Sequence, residues 1–308
     1  MPDDFHQQTW DAAVEDDCRQ IVRLAVREDL DRFHDWTTVS LVPHDATARA
    51  EVAARQPGVI AGLRAAQIAI DEMNVPLEWT TRVEDGAKVI AAQSIATIEG
   101  SARCLLTAER ILLNLIGRLS GIATLTARYV EETAGTRARI YDTRKTTPGW
   151  RRLEKYAVQC GGGRNHRSGL FDGVLIKDNH LAQGAGGSDD ARFTPAEAVT
   201  RARQFMHEME SEGVPAGMLI EVEVDTLEQL ALVLPAAPDI VLLDNMTCEQ
   251  LVTAVAQRDT TAPQVQLEAS GGISIETVGS VARTGIDRIS VGALTHSAIS
   301  LDIGLDWL

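Results

Sequence analysis

The sequence is poor in cysteine and lysine, has no long apolar run and carries no excess of positive charge. Its 308 residues include four cysteines (Cys18, Cys104, Cys160, Cys248), widely spaced and without a CxxC pair. That argues against a zinc ribbon or a dithiol redox motif, and the four read as simple thiols rather than disulfide partners. The longest charge-free stretch is 13 residues, 289–301, whereas a spanning helix needs ~20 apolar residues, so an integral membrane protein is not expected. The opening MPDDFHQQTW is acidic and polar and lacks the basic-then-apolar pattern of a secretory signal, so the expected compartment is the cytoplasm. The net charge of −15 argues against a general nucleic-acid or anionic-membrane surface. No GxGxxG or GxxxxGK[ST] follows a predicted strand, and the histidines show no HExxH or other metal spacing. His180 is the best functional candidate among those outside the HR pair described below. With 44% hydrophobic and 24% charged residues, the chain has the composition of a globular protein rather than a disordered one. The five tryptophans are scattered and read as core or interface residues.

What charge there is has a telling distribution. Between Arg137 and Lys177 lie ten Lys/Arg and three Asp/Glu, including three of the four lysines. That segment is therefore +7 and the remainder −22, as expected of a pocket for small anions or of a solvated basic face.

The first ~100 residues mix helix and strand. A helix is expected over 18–30, strands over 47–61, 77–83 and 87–98, and a helix over 62–73. This order suits an α+β domain with a mostly antiparallel sheet. A long helix over 107–132 follows, with Gly117 and Ser120-Gly121 marking a break. From residue 140 short apolar strands alternate with helices: 139–142, 173–177, 218–224, 239–243, 264–269 and 288–291. Thr194-Pro-Ala-Glu197 is a capping box, and Asp225-Thr-Leu-Glu228 and Thr247-Cys-Glu-Gln250 also place a cap residue three before Glu or Gln. Such repeats imply a parallel sheet with right-handed crossovers.

Nearly every one of these strands ends on charged, polar or glycine residues: Asp142-Thr-Arg-Lys145, Lys177-Asp-Asn-His180, Glu223-Val-Asp225, Asp244-Asn-Met246, Ser270-Gly-Gly272 and Gly292-Ala293. In a (β/α) barrel all such ends converge on one mouth, whereas in a doubly wound sheet only those at the switch point do. Six of them favour an incomplete barrel. Arg144 and Lys145 suit carboxylate or phosphate. His166 and Arg167 follow three glycines that permit close backbone approach, and Lys177 ends the next strand. Glu223 and Asp244 end consecutive strands, where they could hold Mg²⁺ on a polyphosphate or face a developing positive charge. Ser270-Gly271-Gly272 reads as a strand end, a glycine turn and a helix start, a phosphate-binding arrangement.

Taken together, TRKTTPGWRRLEKYAVQCGGGRNHRSGLFDGVLIKDNH (143–180) resembles the signature of the quinolinate phosphoribosyltransferases. REDL then WTT (27–38), GVIAGL (58–63), AERILLNLIGRLSGIAT (108–124), EVEVDTLEQL (221–230), LLDNM (242–246), EASGGI (268–273) and ISVGALTHS (289–297) occur in the family's order. The resemblance implies an N-terminal α/β sandwich over 1–118, joined by the tail 293–308, and an incomplete α/β barrel over 119–292. It implies a homodimer, or a higher oligomer, with a shared active site to which the partner contributes the arginine matching Arg110. Quinolinate would be held by Arg110, Thr143, Arg144, His166, Arg167 and Lys177. Phosphoribosyl pyrophosphate, with Mg²⁺ and no organic cofactor, would meet Lys145, Glu223, Asp244, Ser270, Gly271, Gly272, Gly292 and Ala293. Of these, Lys145, Glu223 and Asp244 would carry the catalysis, and Glu223 and Asp244 would contact the substrate's metal. Two departures stand out: the glycine-rich, acidic 184–192 is longer than the usual connection, and Trp36 replaces a small or β-branched residue. Alternatives from other classes are a phosphoribosyltransferase for another acidic ring, including the relatives encoded with molybdate transporters; a nicotinate phosphoribosyltransferase; a Schiff-base aldolase using Lys145 or Lys177; and a non-enzymatic nucleotide or acid sensor.

Overall fold

A computed structural model describes residues 4–184, 193–213 and 216–308. In chain order the elements are α1 Ala12–Leu30, α2 Trp36–Leu41, β1 Thr47–Ala54, β2 Gly58–Val59, α3 Leu63–Met73, β3 Leu77–Thr81, β4 Lys88–Val89, β5 Ser94–Ser101 and α4 Ala102–Glu132. Then come β6 Arg139–Tyr141, α5 Arg151–Cys160, β7 Val174–Ile176, α6 Asp178–Gly184, α7 Pro195–Glu210, β8 Ile220–Val224, α8 Leu227–Val233, β9 Ile240–Asp244, α9 Cys248–Thr261, β10 Gln266–Ser270, α10 Val278–Ala282, β11 Arg288–Ser290, α11 Ala293–His296 and β12 Ile303–Trp307. No described helix is long and apolar enough to cross a membrane.

Two compact units emerge. One comprises the N-terminal residues through Gln7, Tyr129–Arg144 and Arg164–Gly292; the other comprises Gln8–Arg128, Lys145–Gly163 and Ala293–Leu308. Where the sequence suggested one boundary near 118 and a returning tail, the contacts carry α4 on to Arg128 and group 145–163, with α5, into the second unit.

The second unit holds a four-stranded sheet in the order β12-β1-β5-β3, antiparallel throughout. β1 stops at Ala54 and β2 resumes at Gly58, so Gln56-Pro57 divides the expected 47–61 strand. α1 begins six residues earlier than the periodicity indicates, because the Asp11 carboxylate caps it by accepting from the Ala13 and Val14 amides. α4 runs unbroken through Gly117 and Gly121. These glycines do not break the helix; they let another segment approach it. A Cβ on Gly121 would fall inside the Ile299 carbonyl oxygen's contact radius, and one on Gly117 would lie 3.0 Å from the Leu301 carbonyl oxygen. The triple glycine after α5 has a related cause. Gly161 lies against the Ala123 carbonyl, Gly162 has φ +84°, and a Cβ on Gly163 would sit 2.6 Å from Thr126 Cγ2.

The first unit holds a six-stranded parallel sheet in the order β6-β11-β10-β9-β8-β7. This is the cyclic order of a barrel left open between β6 and β7, in agreement with the fold class read from the strand ends. Period-two alternation sorts the side chains. Val222↔Val241, Leu267↔Val241, Ala269↔Ile289 and Ile289↔Ile140 share one face. That apolar face meets the helices, whose buried residues include Val199, Leu230, Val233, Leu251 and Val278. The opposite face pairs Glu223↔Leu242, Ser270↔Asp244, Glu268↔Arg288 and Ser290↔Tyr141. It is the concave side, because Glu221 of β8 and Glu268 of β10 both reach His166 across the intervening β9. Capping boxes start α7 at Thr194–Glu197 and α9 at Thr247–Gln250. α8 is capped by Thr226 on the Gln229 amide, one residue beyond the Asp225 cap expected. The 184–192 departure falls, after Gly184, outside the described residues.

Candidate active site

The site begins at the end of β6. Asp142 is fully buried and accepts from the His166 amide at 2.9 Å and from Asn165 Nδ2 at 2.7 Å. It thereby fastens the 164–167 segment alongside β6, where Tyr141 and Arg164 form a parallel bridge. From the other side Gln7 exchanges two bonds with the Asn165 backbone, at 2.9 and 3.0 Å.

His166 is thus held deep in the polar interior, 5% exposed. Its Nδ1 accepts the Arg167 amide at 2.8 Å, so the ring proton sits on Nε2. Nε2 lies 2.9 Å from Glu221 Oε2 and 3.5 Å from Glu268 Oε1. Burial pushes the imidazole toward neutrality, but the two carboxylates outweigh it and raise its pKa. Burial likewise opposes ionisation of Glu221, and His166, Arg288 and Arg167 overcome it, leaving the carboxyl below its usual range. Phe5 stacks on the imidazole, ring centroids 4.5 Å apart. Behind it Arg288, 1% exposed, donates to Glu268 Oε2 at 2.7 Å and Asp4 Oδ1 at 2.9 Å. His166, Glu221 and Glu268 are the one trio among the described residues close enough to hold a metal ion. Arg288 and Arg167 already answer their charge, so the chemistry of the cluster does not call for a cation.

Beside this core lie two guanidinium groups, Arg144 and Arg167. Arg167 is 8% exposed. Burial first, and then the like charge of Arg144, hold its pKa below the usual arginine value, with Glu221 working the other way. Arg144 Nε is buried and has no hydrogen-bond partner. Two guanidinium groups that repel one another, one with an orphaned donor, form a receptor for an anion. Lys177 extends the cationic wall from the end of β7, its Nζ paired with Glu223 of β8. Its backbone amide donates to His180 Nδ1 at 3.0 Å, so the exposed His180 serves the turn into α6.

Glu223 and Asp244 point to the concave face from adjacent strands, two residues apart in register. Asp244 accepts from Asn245 Nδ2 at 2.7 Å, and the Asn245 amide donates to the Ser270 carbonyl at 2.9 Å. Gly271 has φ +91°, and a Cβ there would collide with Asn245 Oδ1, while Gly272 has φ +60° and open space around it. Helix α10 does not follow directly. It starts at Val278 and is five residues long, so the loop 271–277 intervenes where the sequence suggested a helix start. Thr143 and Gly292 complete the strand-end residues of this unit.

Arg110, Lys145 and Ala293 belong to the second unit. Arg110 projects from α4 with its side chain 67% exposed and lines a cavity of about 490 Å³ with Asn114, Arg118 and Trp150. Lys145 is exposed, and its carbonyl accepts from Thr295 Oγ1 at 2.7 Å. Trp36 opens α2 and is 63% exposed, edge-on to His34.

The residues missed from sequence are those behind the cationic wall, Glu221, Glu268, Arg288 and Phe5, while Asp142 was read only as part of a strand end. The Glu-Val-Glu-Val alternation of β8 was the available signal, since it puts Glu221 on the same face as Glu223.

The relatives of the chain make it a pentosyltransferase. The model for the C-terminal domain of quinolinate phosphoribosyl transferase matches residues 122–306, and that for the N-terminal domain matches 35–120. The nicotinate-nucleotide pyrophosphorylase (carboxylating) of Mycobacterium leprae is 45% identical over 293 residues, covering 94% of this chain and 97% of its own. The probable enzyme of that name from Bacillus subtilis is 40% identical, covering 85% of this chain and 84% of its own. Among solved structures, the nicotinate-nucleotide pyrophosphorylase of Francisella tularensis superposes with a TM-score of 0.86 at 34% identity, covering 99% of this chain and 100% of its own. The chain belongs to the quinolinate phosphoribosyltransferase family.

Proposed function

We propose that this protein transfers the phosphoribosyl group of phosphoribosyl pyrophosphate to quinolinate with loss of CO₂, giving nicotinate mononucleotide and pyrophosphate. The observation that carries the reading is the pairing of half-buried Arg144, whose Nε is orphaned, with buried Arg167, whose charge is disfavoured by burial first and then by Arg144. A ligand with two adjacent carboxylates relieves both conditions at once. His166 and Thr143 are the sequence neighbours of Arg167 and Arg144, and Lys177 stands just beyond β7.

Arg144 and Arg167 bind and orient the ring carboxylates. The buried His166–Glu221–Glu268 cluster keeps the adjoining Arg167 segment fixed, so orientation is set before substrate arrives. Phosphoribosyl pyrophosphate brings Mg²⁺ as part of the substrate. Glu223 and Asp244 fit that role because two carboxylates on one face suffice when phosphate oxygens complete the shell. Lys145, Ser270, Gly271, Gly272, Gly292 and Ala293 receive the phosphates. The C1′–O bond to pyrophosphate breaks, and the two acids face the positive charge that develops on the sugar. The pyridine nitrogen forms the new bond to C1′. The C2–carboxylate bond then breaks, CO₂ leaves, its electron pair stays on C2 beside the pyridinium, and C2 takes a proton. We further propose a cytoplasmic homodimer in which Arg110 serves the partner's site.

The test is incubation of the protein with quinolinate, phosphoribosyl pyrophosphate and Mg²⁺, with nicotinate mononucleotide and CO₂ measured together. Equal yields of both from quinolinate, and none from nicotinate, are expected. Turnover of nicotinate, or no product from quinolinate with folded protein, overturns the reading.

A further inference from the structure

The strand ends that carry the proposed chemistry occupy one end of the parallel sheet, and the opposite end has a cavity of its own. It measures about 570 Å³ and opens at the starts of β6, β10 and β11. Four arginines line it, Arg137, Arg139, Arg164 and Arg258, against two acids, Asp4 and Asp287. In a protein of net charge −15 this is a local excess of two positive charges.

The donors are only partly used. Asp287 takes Arg137 and Arg258, and Asp4 takes Arg164 at 3.2 Å. Arg258 has its side chain 1% exposed; Nε donates to Asp259, and Nη1 donates to Asp287 and to the Val265 carbonyl. Its Nη2 is buried with no partner. Arg139 makes no ion pair with any described residue, although it opens β6 in register with Arg288. Ion pairing alone therefore does not account for the cluster, because exposed Arg139 carries an unpaired charge at the cavity and buried Arg258, although paired with Asp259 and Asp287, keeps one donor nitrogen without a partner. Gln264 and Gln266 add amides, and Pro263 and Val265 an apolar patch. The volume lies within the ~300–1,000 Å³ typical of small-molecule sites and far exceeds a bare ion.

We propose that this foot of the barrel binds a phosphorylated organic ligand of mononucleotide size, with Arg139 and Arg258 holding the phosphate and the Gln264–Gln266 strip receiving the remainder. Guanidinium groups match phosphate oxygens, and a phosphate dianion is a ligand that uses both the unpaired Arg139 and the remaining Nη2 of Arg258. The site is separate from the one proposed for catalysis and does not depend on that reading.

Titration calorimetry on the full chain tests it, with adenosine monophosphate, adenosine and inorganic phosphate as probes. Adenosine monophosphate should bind, and Arg139→Glu should weaken it by about tenfold or more, as expected for loss of one charge-assisted pair. Arg139→Gln should weaken it less and guards against misfolding, while Lys145→Ala should leave this affinity unchanged. Three results overturn the proposal: no binding, equal binding by Arg139→Glu and Arg139→Gln protein and the parent, or binding abolished by Lys145→Ala alone. Phosphate binding as tightly as the nucleotide would also overturn it, by reducing the cavity to an ion site.

Discussion

Replacing Arg288 by Met tests whether the charged interior of the strand ring is a stabilising network. The guanidinium is 1% exposed, lies 3.6 Å from the centroid of the Tyr141 ring, and donates to Glu268 and Asp4. Its two acceptors do not count equally. Glu268 is fully buried, whereas Asp4 retains 23% of its side-chain exposure and can recover bonds from water. Stranding one buried carboxylate costs about 3–5 kcal/mol, and Asp4 adds little to that. At roughly 2–4 °C per kcal/mol for a body of about 150–250 residues, the melting temperature should fall by ~6–20 °C. Glu268 would then have Glu221 as a like-charged neighbour, with His166 alone between them. Adding Glu268→Gln to Arg288→Met should restore more than half of the loss, because no uncompensated charge then remains. Thermal and urea unfolding of the three variants measure this. A loss below about 1 kcal/mol for Arg288→Met, or simple additivity in the double variant, would refute the reasoning.

Three further predictions concern the second unit. Glu154 is fully buried and accepts from Arg118 Nη2 at 2.7 Å and Thr147 Oγ1 at 2.9 Å; Glu154→Ala should cost about 3–5 kcal/mol by urea unfolding and Glu154→Gln clearly less. Gly121→Ala gains helix propensity of about 1 kcal/mol, but its methyl group meets the Ile299 carbonyl, so a net loss of about 1–3 kcal/mol is expected; a raised melting temperature would show that 299–300 simply gives way. Burial pushes the Cys18 and Cys160 thiols up to about 12 from 9.0. Because the folded values are raised, this stability is fully present below the ordinary thiol pKa and is lost as pH rises toward about 12. Unfolding free energy should fall above pH ~9, and the fall should lessen in Cys18→Ala/Cys160→Ala protein.

The parallel strands were legible because each is a short apolar run ending on a polar residue. What escaped was set by distant parts of the chain. Gly117 and Gly121 look like helix breakers until the 299–301 segment is seen against them, and nothing local shows that a long helix needs bare backbone there. Likewise Arg144 and Lys177 announced themselves as cations at strand ends, and Arg167 as one behind three glycines. Glu221 and Glu268 sit inside their strands and Arg288 opens its own, where a charged residue in a short run reads as solvent-facing until the ring curls around it. The matched families agree with the resemblance read from the 143–180 stretch.

Arg288 meets Asp4 across 284 positions of sequence, and β1 meets β12, the last strand of the chain. Each unit is thus closed by residues far apart in sequence. During synthesis neither can be completed as its first residues emerge: the first lacks Arg288 until 284 further residues have followed Asp4, and the second lacks the edge partner of β1 until β12 is made. Folding from the leading end domain by domain is barred by this topology. Such long-range closures make for slow folding, and β1 waits with one edge unpaired. The expected consequence in the cell is dependence on chaperones that hold the nascent chain until its C-terminal strand is free.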